Sequence, residues 1–332
     1  MIGIELTPDR PIAEIAEYAT RAEEVGFDTV LASSHYNNRD PFLALSAIAR
    51  ATEEVSIGPA AANPYTTHPV KLASQTATLQ EASDGRALLG IGAGDRSTLS
   101  NLGIEFDRPL RRVLESFRVA RELWAGETVD HQGTFEARDA SLSYAVDSLP
   151  VYVGAQGPQM LRMSGKHADG ALVNASHPAD LEWSAERIAE GLDDRPDEYG
   201  GPDEFDAAAF ASVSIADDGE RAREAARPPV AFIVGGAAEP VLDRHDIDPE
   251  RASGIGEHLA SGEFTEAFEA VTPEMIEAFA IAGTPEIVEG KLNAVLEHAD
   301  SVVCGSPLGP DKEAAISLLG AVTDRCRRPN HR

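Results

Sequence analysis

The chain has 332 residues, of which 42% are hydrophobic, so it can build a large core and is not intrinsically disordered. Its 56 acidic residues outnumber 28 basic ones and give a formal net charge of −28. A polyanion of this size should repel nucleic acid and anionic membranes, so neither is an expected partner. We interpret the acidic composition as an adaptation to molar salt, which screens charges beyond about 3 Å.

The apolar runs of the chain are far shorter than the roughly 20 residues that a membrane helix needs. The first residues lack the basic, apolar and cleavage segments of a signal peptide, so we predict a cytoplasmic protein. Cys304 and Cys326 are the only cysteines, and no Cys/His group has metal-ligand spacing. We expect two inert thiols and no metal site.

Short apolar runs alternate with amphipathic helical stretches along the chain. Eight runs predict strands: Ile2 to Leu6, Thr29 to Ala32, Val55 to Pro59, Ala87 to Gly92, Val151 to Gly154, Ala171 to Asn174, Ala208 to Ile215 and Ser301 to Cys304. Helices are predicted at Ile12 to Val25, Phe42 to Thr52, Val70 to Ser83, Leu110 to Trp124, Met160 to His167, Leu181 to Leu192 and Lys312 to Thr323. Eight such units favour an α/β fold of the (β/α)8 TIM-barrel type over a doubly wound sheet.

Two segments are too long for a simple strand-helix unit. Residues 128–148 predict an inserted loop or hairpin before the fifth strand. Residues 221–300, the helical insertion, lie between the seventh and eighth strands, with short helices at Ile255 to Leu259, Glu263 to Ala270 and Met275 to Ala282. No polar linker flanks the helical insertion on either side, so we expect residues 1–332 to form a single domain.

Glu5 is the first candidate catalytic residue. The first strand alternates Ile2, Ile4 and Leu6 with Gly3 and Glu5, so Glu5 should point into the barrel when the apolar side faces the helices. Active sites of these barrels gather at the carboxyl ends of the strands. A desolvated carboxyl group there could hold and deliver a proton near neutral pH, although a solvated glutamate at the strand end is the alternative.

The fourth strand ends in a glycine-rich segment, Gly90-Ile91-Gly92-Ala93-Gly94-Asp95. Glycines remove side chains from one face, so a flat ligand could lie against the backbone. Asp95 stands beside that surface as a second candidate catalytic residue, and its alternative role is the N-cap of a helix from Ser97 to Leu102.

The remaining strand ends carry small residues, amides, hydroxyls and one aromatic loop, which together predict a broad, flat and largely uncharged pocket. The candidate cofactor-binding residues are Ser34, His35, Tyr36, Asn37, Ala60, Ala61, Gly94, Gly154, Ala155, Gln156, Asn174, Gly305 and Ser306.

These segments together resemble the methylenetetrahydromethanopterin reductases, a branch of the bacterial-luciferase-like barrels. The resemblance covers nearly the whole chain and is carried by Gly3-Ile4-Glu5, His35-Tyr36-Asn37-Asn38, Gly90 to Asp95, Gly154 to Pro158, Asp169 to Ser176 and Gly305 to Lys312. It implies that reduced coenzyme F420 gives a hydride to the methylene carbon of a one-carbon pterin, and that the protein is a homo-oligomer, a dimer or tetramer.

The resemblance also implies residue roles. Glu5 matches the family's acid, which would protonate the arylamine nitrogen and open the ring to an iminium. Asp95 matches a second carboxylate, which would tune Glu5 or orient the pterin. A cis peptide bond that is not at proline would fall at Ala60-Ala61.

Two departures from the family pattern bear on the cofactor. Ser34 stands where the family usually has Asp, and Ala60 where it usually has Gly. FMN, FAD or NAD(P)H therefore remain alternative hydride donors to F420. The acidic composition favours methylenetetrahydrofolate over the methanopterin substrate. The competing functions are a flavin-dependent luciferase-like monooxygenase and a non-catalytic barrel that binds a deazaflavin or pterin.

Overall fold

A nearly closed ring of eight parallel strands forms the centre of the computed structural model, which describes residues 1–327. The ring follows the order β3, β2, β1, β11, β9, β8, β7 and β4, with bridges from Ile57 to Ala87 and from Ala62 to Ile91 bringing β3 beside β4. This confirms the (β/α)8 barrel. The strands are β1 Ile2–Glu5, β2 Thr29–Ala32, β3 Ser56–Pro59, β4 Leu89–Ile91, β5 Val129–Gln132, β6 Glu136–Ala140, β7 Val151–Ala155, β8 Gly170–Asn174, β9 Asp206–Ile215, β10 Ile281–Gly283 and β11 Ser301–Leu308.

Many of the helices begin at a proline, whose fixed φ suits the first turn and whose missing N–H has no partner to lose there. The helices are α1 Ile12–Glu24, α2 Pro41–Ala51, α3 Pro69–Ala82, α4 Arg96–Asn101, α5 Pro109–Trp124, α6 Pro158–His167, α7 Pro178–Leu192, α8 Gly219–Gly236, α9 Glu239–Arg244, α10 Pro249–Ser261, α11 Phe264–Glu269, α12 Pro273–Phe279, α13 Pro285–Leu296 and α14 Lys312–Arg327. Short 3-10 turns lie at Asp197–Tyr199 and Pro202–Glu204.

The two sides of β1 separate the barrel interior from the helix-facing core. Ile2 and Ile4 belong to the large core between strands and helices. A Cβ on Gly3 would instead lie 3.2 Å from Val303, a residue of the small interior cluster with Leu31, Leu88 and Leu172. The predicted alternation of β1 is therefore confirmed.

The insertion before the fifth barrel strand is a hairpin of β5 and β6, as predicted. The helical insertion is more regular than its sequence suggested, since it contains α8, α9 and α13 in addition to α10, α11 and α12. The predicted helix from Met275 to Ala282 is wrong at its carboxyl end. Helix α12 stops at Phe279, and Ile281–Gly283 forms β10, which pairs in parallel with β9.

Two barrel strands differ in length from their predictions. Strand β4 is shorter than the predicted Ala87 to Gly92, because Ala87 makes only an isolated bridge. Strand β11 continues past Cys304 to Leu308 through a register shift after Gly305. That extension carries Ser306, so it shapes the site described below.

Burial raises the pKa of the Cys304 thiol to about 12, and it also raises the pKa of Cys326, so both thiols stay protonated. In residues 1–327, no helix combines the length and the apolar character that crossing a bilayer requires.

Candidate active site

Glu5 ends β1 with its side chain inside the barrel mouth, and the residue is 2% exposed. Its Oε1 accepts a hydrogen bond from Thr7 Oγ1 at 2.9 Å. Its Oε2 accepts from the Ser306 backbone N–H at 3.2 Å and from Ser306 Oγ at 2.9 Å. A buried carboxyl group in contact on both oxygens with neutral hydroxyl and amide groups is positioned to hold and release a proton.

Ser306 reaches Glu5 because β11 bulges at this point. The register of β11 against β9 shifts between Gly305 and Leu308, and the Ser306-Pro307 peptide bond is cis. Ser212 Oγ on β9 donates to the Ser306 carbonyl at 2.9 Å and holds the bulge in place. We predicted Ser306 as a cofactor contact; its observed partners are Glu5, Thr7 and Ser212.

One wall of the mouth carries no side chain larger than a methyl group. The Ala60-Ala61 peptide bond is cis, as the resemblance implied. A Cβ added to Gly92 or Gly154 would lie 3.3 Å or 3.7 Å from the Ala61 Cβ, so these residues form one continuous surface. Gly94 follows with φ of +71°, and a Cβ there would meet the Asn63 amide at 2.3 Å. Ala155 is buried behind this surface.

The loops after β2 and β4 meet through a chain of polar contacts. His35 Nδ1 lies 2.5 Å from Asn37 Oδ1, and His35 Nε2 lies 2.9 Å from Thr98 Oγ1. Tyr36 stacks on the His35 ring at 4.8 Å and is 51% exposed. Ser34 is half-buried at the start of this loop. The structure therefore brings these candidate residues together at the mouth.

Asp95 is the N-cap of α4, the role that the sequence left open beside a catalytic one. Its Oδ1 accepts from the Thr98 backbone N–H at 2.7 Å and from Ser97 Oγ at 2.5 Å, and its Oδ2 accepts from Thr98 Oγ1 at 2.5 Å. Desolvation opposes its ionisation, but these hydrogen bonds outweigh it and lower the pKa of Asp95. Its tuning of Glu5 stays a prediction, since its hydrogen bonds run to α4 rather than to Glu5.

Gln156 and Asn174 are exposed at the carboxyl ends of β7 and β8. They line a crevice whose opposite side includes Phe279 and Arg244 of the helical insertion. Arg244 lies over the Trp183 ring at 4.7 Å and pairs with Asp180 at 3.2 Å. Sequence reasoning placed no insertion residue beside the site, because no local pattern indicates which barrel loop an insertion will cover.

Thr7 is the contact of Glu5 that sequence reasoning missed. The signal was available, because residues two apart in an extended segment point to the same side. Within residues 1–327, no cluster of three or more His, Cys, Asp or Glu side chains has the geometry to hold a metal ion.

Comparisons with known proteins agree over nearly the whole chain. The family model for luciferase-like monooxygenases matches residues 2–300. The 5,10-methylenetetrahydromethanopterin reductase of Methanolobus tindarius is 41% identical over 321 residues, covering 96% of this chain and 98% of that protein. The reductase of the same name from Archaeoglobus fulgidus is 40% identical over 324 residues, covering 96% and 97%. The solved structure of the coenzyme F420 dependent tetrahydromethanopterin reductase from Methanopyrus kandleri has a TM-score of 0.89 and 39% identity, covering 96% of each chain.

Proposed function

This chain belongs to the luciferase-like monooxygenase family and, within it, to the 5,10-methylenetetrahydromethanopterin reductases, and from that premise we propose the reaction that its site performs. The protein is an oxidoreductase that uses coenzyme F420. It adds a hydride to the methylene carbon that bridges two nitrogens of a tetrahydropterin, and the product carries a 5-methyl group. The buried Glu5 carboxyl group at the barrel mouth is the observation that supports this reaction.

The small-residue wall fits the deazaflavin ring of F420. Ala60, Ala61, Gly92 and Gly154 leave a surface on which a flat ring can lie, and larger side chains there would fill it. His35 and Asn37, on the loop after β2, offer polar groups at the same mouth. When bound, reduced F420 supplies the hydride. Ser34 removes a carboxylate and Ala60 adds one methyl group, and neither change closes the wall.

Glu5 supplies the proton that makes the methylene carbon a hydride acceptor. Protonation of the arylamine nitrogen breaks its bond to the bridging carbon and leaves an iminium at the other nitrogen. Hydride addition to that carbon then completes the methyl group, so one proton and one hydride account for the product. The polar chain from Asp95 through Thr98 to His35 orders the neighbouring loops around this position.

Both one-carbon carriers contain the bridged ring on which this chemistry acts. The relatives are named for tetrahydromethanopterin, whereas the acidic composition led us to favour tetrahydrofolate. The homo-oligomer is likewise a prediction, to be checked by light scattering in high KCl.

The decisive assay is anaerobic absorbance spectroscopy in molar KCl. Reduced F420, reduced flavin and NAD(P)H are each supplied with the methylene form of tetrahydrofolate or tetrahydromethanopterin. We expect oxidation of F420 that depends on the pterin, and the faster carrier is the substrate. Oxidation of reduced flavin that depends on oxygen and not on a pterin would support a monooxygenase. Binding of F420 without turnover of either pterin would support a non-catalytic barrel.

Replacing Glu5 tests the acid role directly. We expect Glu5→Gln to bind F420 normally and to lose turnover by a factor of about 100 or more, because an amide cannot supply the proton. Glu17→Gln, an exposed change on α1, is the matched control and should leave turnover unchanged. Undiminished turnover in Glu5→Gln would remove Glu5 from the acid role.

A further inference from the structure

Four oxygen atoms of Glu5, Thr7 and Ser306 form a closed ring at the barrel mouth. Glu5 Oε1 lies 2.9 Å from Thr7 Oγ1, and Glu5 Oε2 lies 2.9 Å from Ser306 Oγ. The two hydroxyl oxygens lie 2.7 Å from each other, and either of them could be the donor. All three separations are hydrogen-bond distances for a hydroxyl donor.

Three hydrogen bonds need three protons, and the two hydroxyl groups supply only two. If Glu5 were a carboxylate, both hydroxyls would point at it, and the 2.7 Å contact between Thr7 and Ser306 would contain no proton. Alternatively, one hydroxyl would turn to the other and leave a carboxylate oxygen without its donor. The ring is complete only when Glu5 itself carries the third proton.

The backbone fixes which oxygen carries that proton. The Ser306 N–H is a permanent donor, and it points at Oε2 from 3.2 Å. Oε2 is therefore the accepting carbonyl oxygen, and Oε1 carries the proton. In this acid form the Thr7 contact is reversed from its direction in a carboxylate: Oε1–H donates to Thr7 Oγ1, Thr7 donates to Ser306 Oγ, and Ser306 donates to Oε2.

The strands around Glu5 provide no charge that would favour a carboxylate. Neighbouring β2 has no titratable side chain, and β11 has only Cys304. Burial raises the pKa of the Cys304 thiol to about 12, so this thiol is neutral. In the surrounding loops, Asp9 is paired with Lys312 at 2.9 Å, and His35 and Asp95 meet through Thr98. The hydrogen-bond contacts of Glu5 itself are all with Thr7 and Ser306.

We propose that Thr7 and Ser306 are positioning residues that hold the proton on Glu5 Oε1, the group that gives it to the substrate nitrogen. Glu5 is 2% exposed, whereas both hydroxyl-bearing residues are half-buried. Once Glu5 has given its proton to the arylamine nitrogen, the ring has one proton too few, and a proton taken up from solvent restores it before the next turnover. The proposal rests on the acid role of Glu5 given above.

Infrared spectroscopy tests the stored proton without turnover. The carboxylic acid C=O band of Glu5 is isolated by subtracting the spectrum of Glu5→Gln from that of the wild-type protein in molar KCl. We expect the band to be present in the wild-type protein at neutral pH. In Thr7→Val the band should disappear about one pH unit lower than in the wild-type protein. The substitution removes two hydrogen bonds from the acid form, those of Thr7 with Glu5 and with Ser306, but only one from the carboxylate form, so the acid form is destabilised more.

Three further variants make the result specific. Thr7→Ser keeps the hydroxyl and should restore the wild-type titration, and Ser306→Ala should lower the midpoint as Thr7→Val does. Thr78→Val removes an exposed helix hydroxyl whose bond runs to Ser74 O, and it should change nothing. In the F420 assay, the alkaline limb of the kcat profile should move with the infrared midpoint in each variant.

The outcomes separate this proposal from the proposed function. No acid band at neutral pH, or the same midpoint in wild type and Thr7→Val, would overturn the proton ring even if Glu5→Gln is inactive. Full turnover in Glu5→Gln would overturn the acid role, while the infrared titration would still report on the ring.

Discussion

The barrel and the helical insertion both contain close backbone contacts at glycines, but they differ in how far the packed elements can move apart. In the barrel, backbones of neighbouring strands meet directly, and a Cβ on Gly90 would lie 2.0 Å from the Pro59 carbonyl oxygen. In the insertion, α8 and α10 also meet at glycines, but a Cβ on Gly256 would lie 2.9 Å from the Gly235 oxygen. Helices can separate by a few tenths of an ångström, whereas a strand fixed in a nearly closed ring cannot. Gly90 is therefore less adjustable than the glycines between α8 and α10.

The largest expected effect is that of Gly90→Ala. The added methyl group overlaps the Pro59 carbonyl between β3 and β4, so the strands must separate, and we expect a loss of about 3 kcal/mol or more in the free energy of unfolding. Gly256→Ala, the matched change in the insertion, should cost about 1 kcal/mol or less, since helix propensity partly offsets the crowding. Chemical denaturation in molar KCl measures both, and equal losses would contradict the comparison.

Two buried phenylalanines allow the core of the barrel to be compared with the core of the insertion. Phe117 is fully buried in the core of the barrel, and Phe279 packs in the separate core of the insertion. Phe117→Ala should cost about 3 kcal/mol and lower protection against hydrogen exchange throughout the barrel. Phe279→Ala should accelerate exchange in α8 to α12 while barrel amides keep their protection. Equal loss of protection in the barrel from both variants would show that the two cores unfold as one unit.

The smallest effect concerns acid sensitivity at the opposite end of the barrel. Burial, aided by Arg118 and Lys166, lowers the pKa of His167 from 6.5 to about 4. The unfolded chain therefore binds the proton first as the pH falls, so the contribution of neutral His167 to stability is present above pH 6.5 and is lost between pH 6.5 and about 4. In that window, His167→Gln should reduce by about one the number of extra protons that the unfolded chain binds relative to the folded protein. Denaturation midpoints measured from pH 4 to 7 check this, and an unchanged slope would refute it.

The sequence predicted the barrel well because its strands have a strong local signal. Each of the eight combines an apolar run with turn residues, and the alternation of Ile2, Gly3, Ile4 and Glu5 correctly assigned the two faces of β1. The insertion has no comparable signal. Helix α8 contains Pro228 and Pro229, which usually argue against a helix interior, and β10 is recognisable only by its pairing with β9.

The site shows the same limit at the level of single contacts. Alternation predicts where Glu5 points, but not that a bulge 300 residues later supplies its partner Ser306. The N-cap role of Asp95 is a local property and was visible in the sequence. Contacts that depend on pairing between distant strands are fixed only by the closed ring.

The pairing of β1 with β11 also determines at what stage of synthesis the site around Glu5 is complete. Met1 donates to Ser301 Oγ across a separation of 300 residues. At roughly 5–20 residues per second, a ribosome needs about 15–60 s to cover that distance, and throughout this time Glu5 lacks its partner Ser306 on β11. Its proton-holding site is among the last parts of the chain to be assembled. A nascent or truncated chain that ends before β11 therefore cannot perform the chemistry, and activity reports that synthesis has reached the last strand.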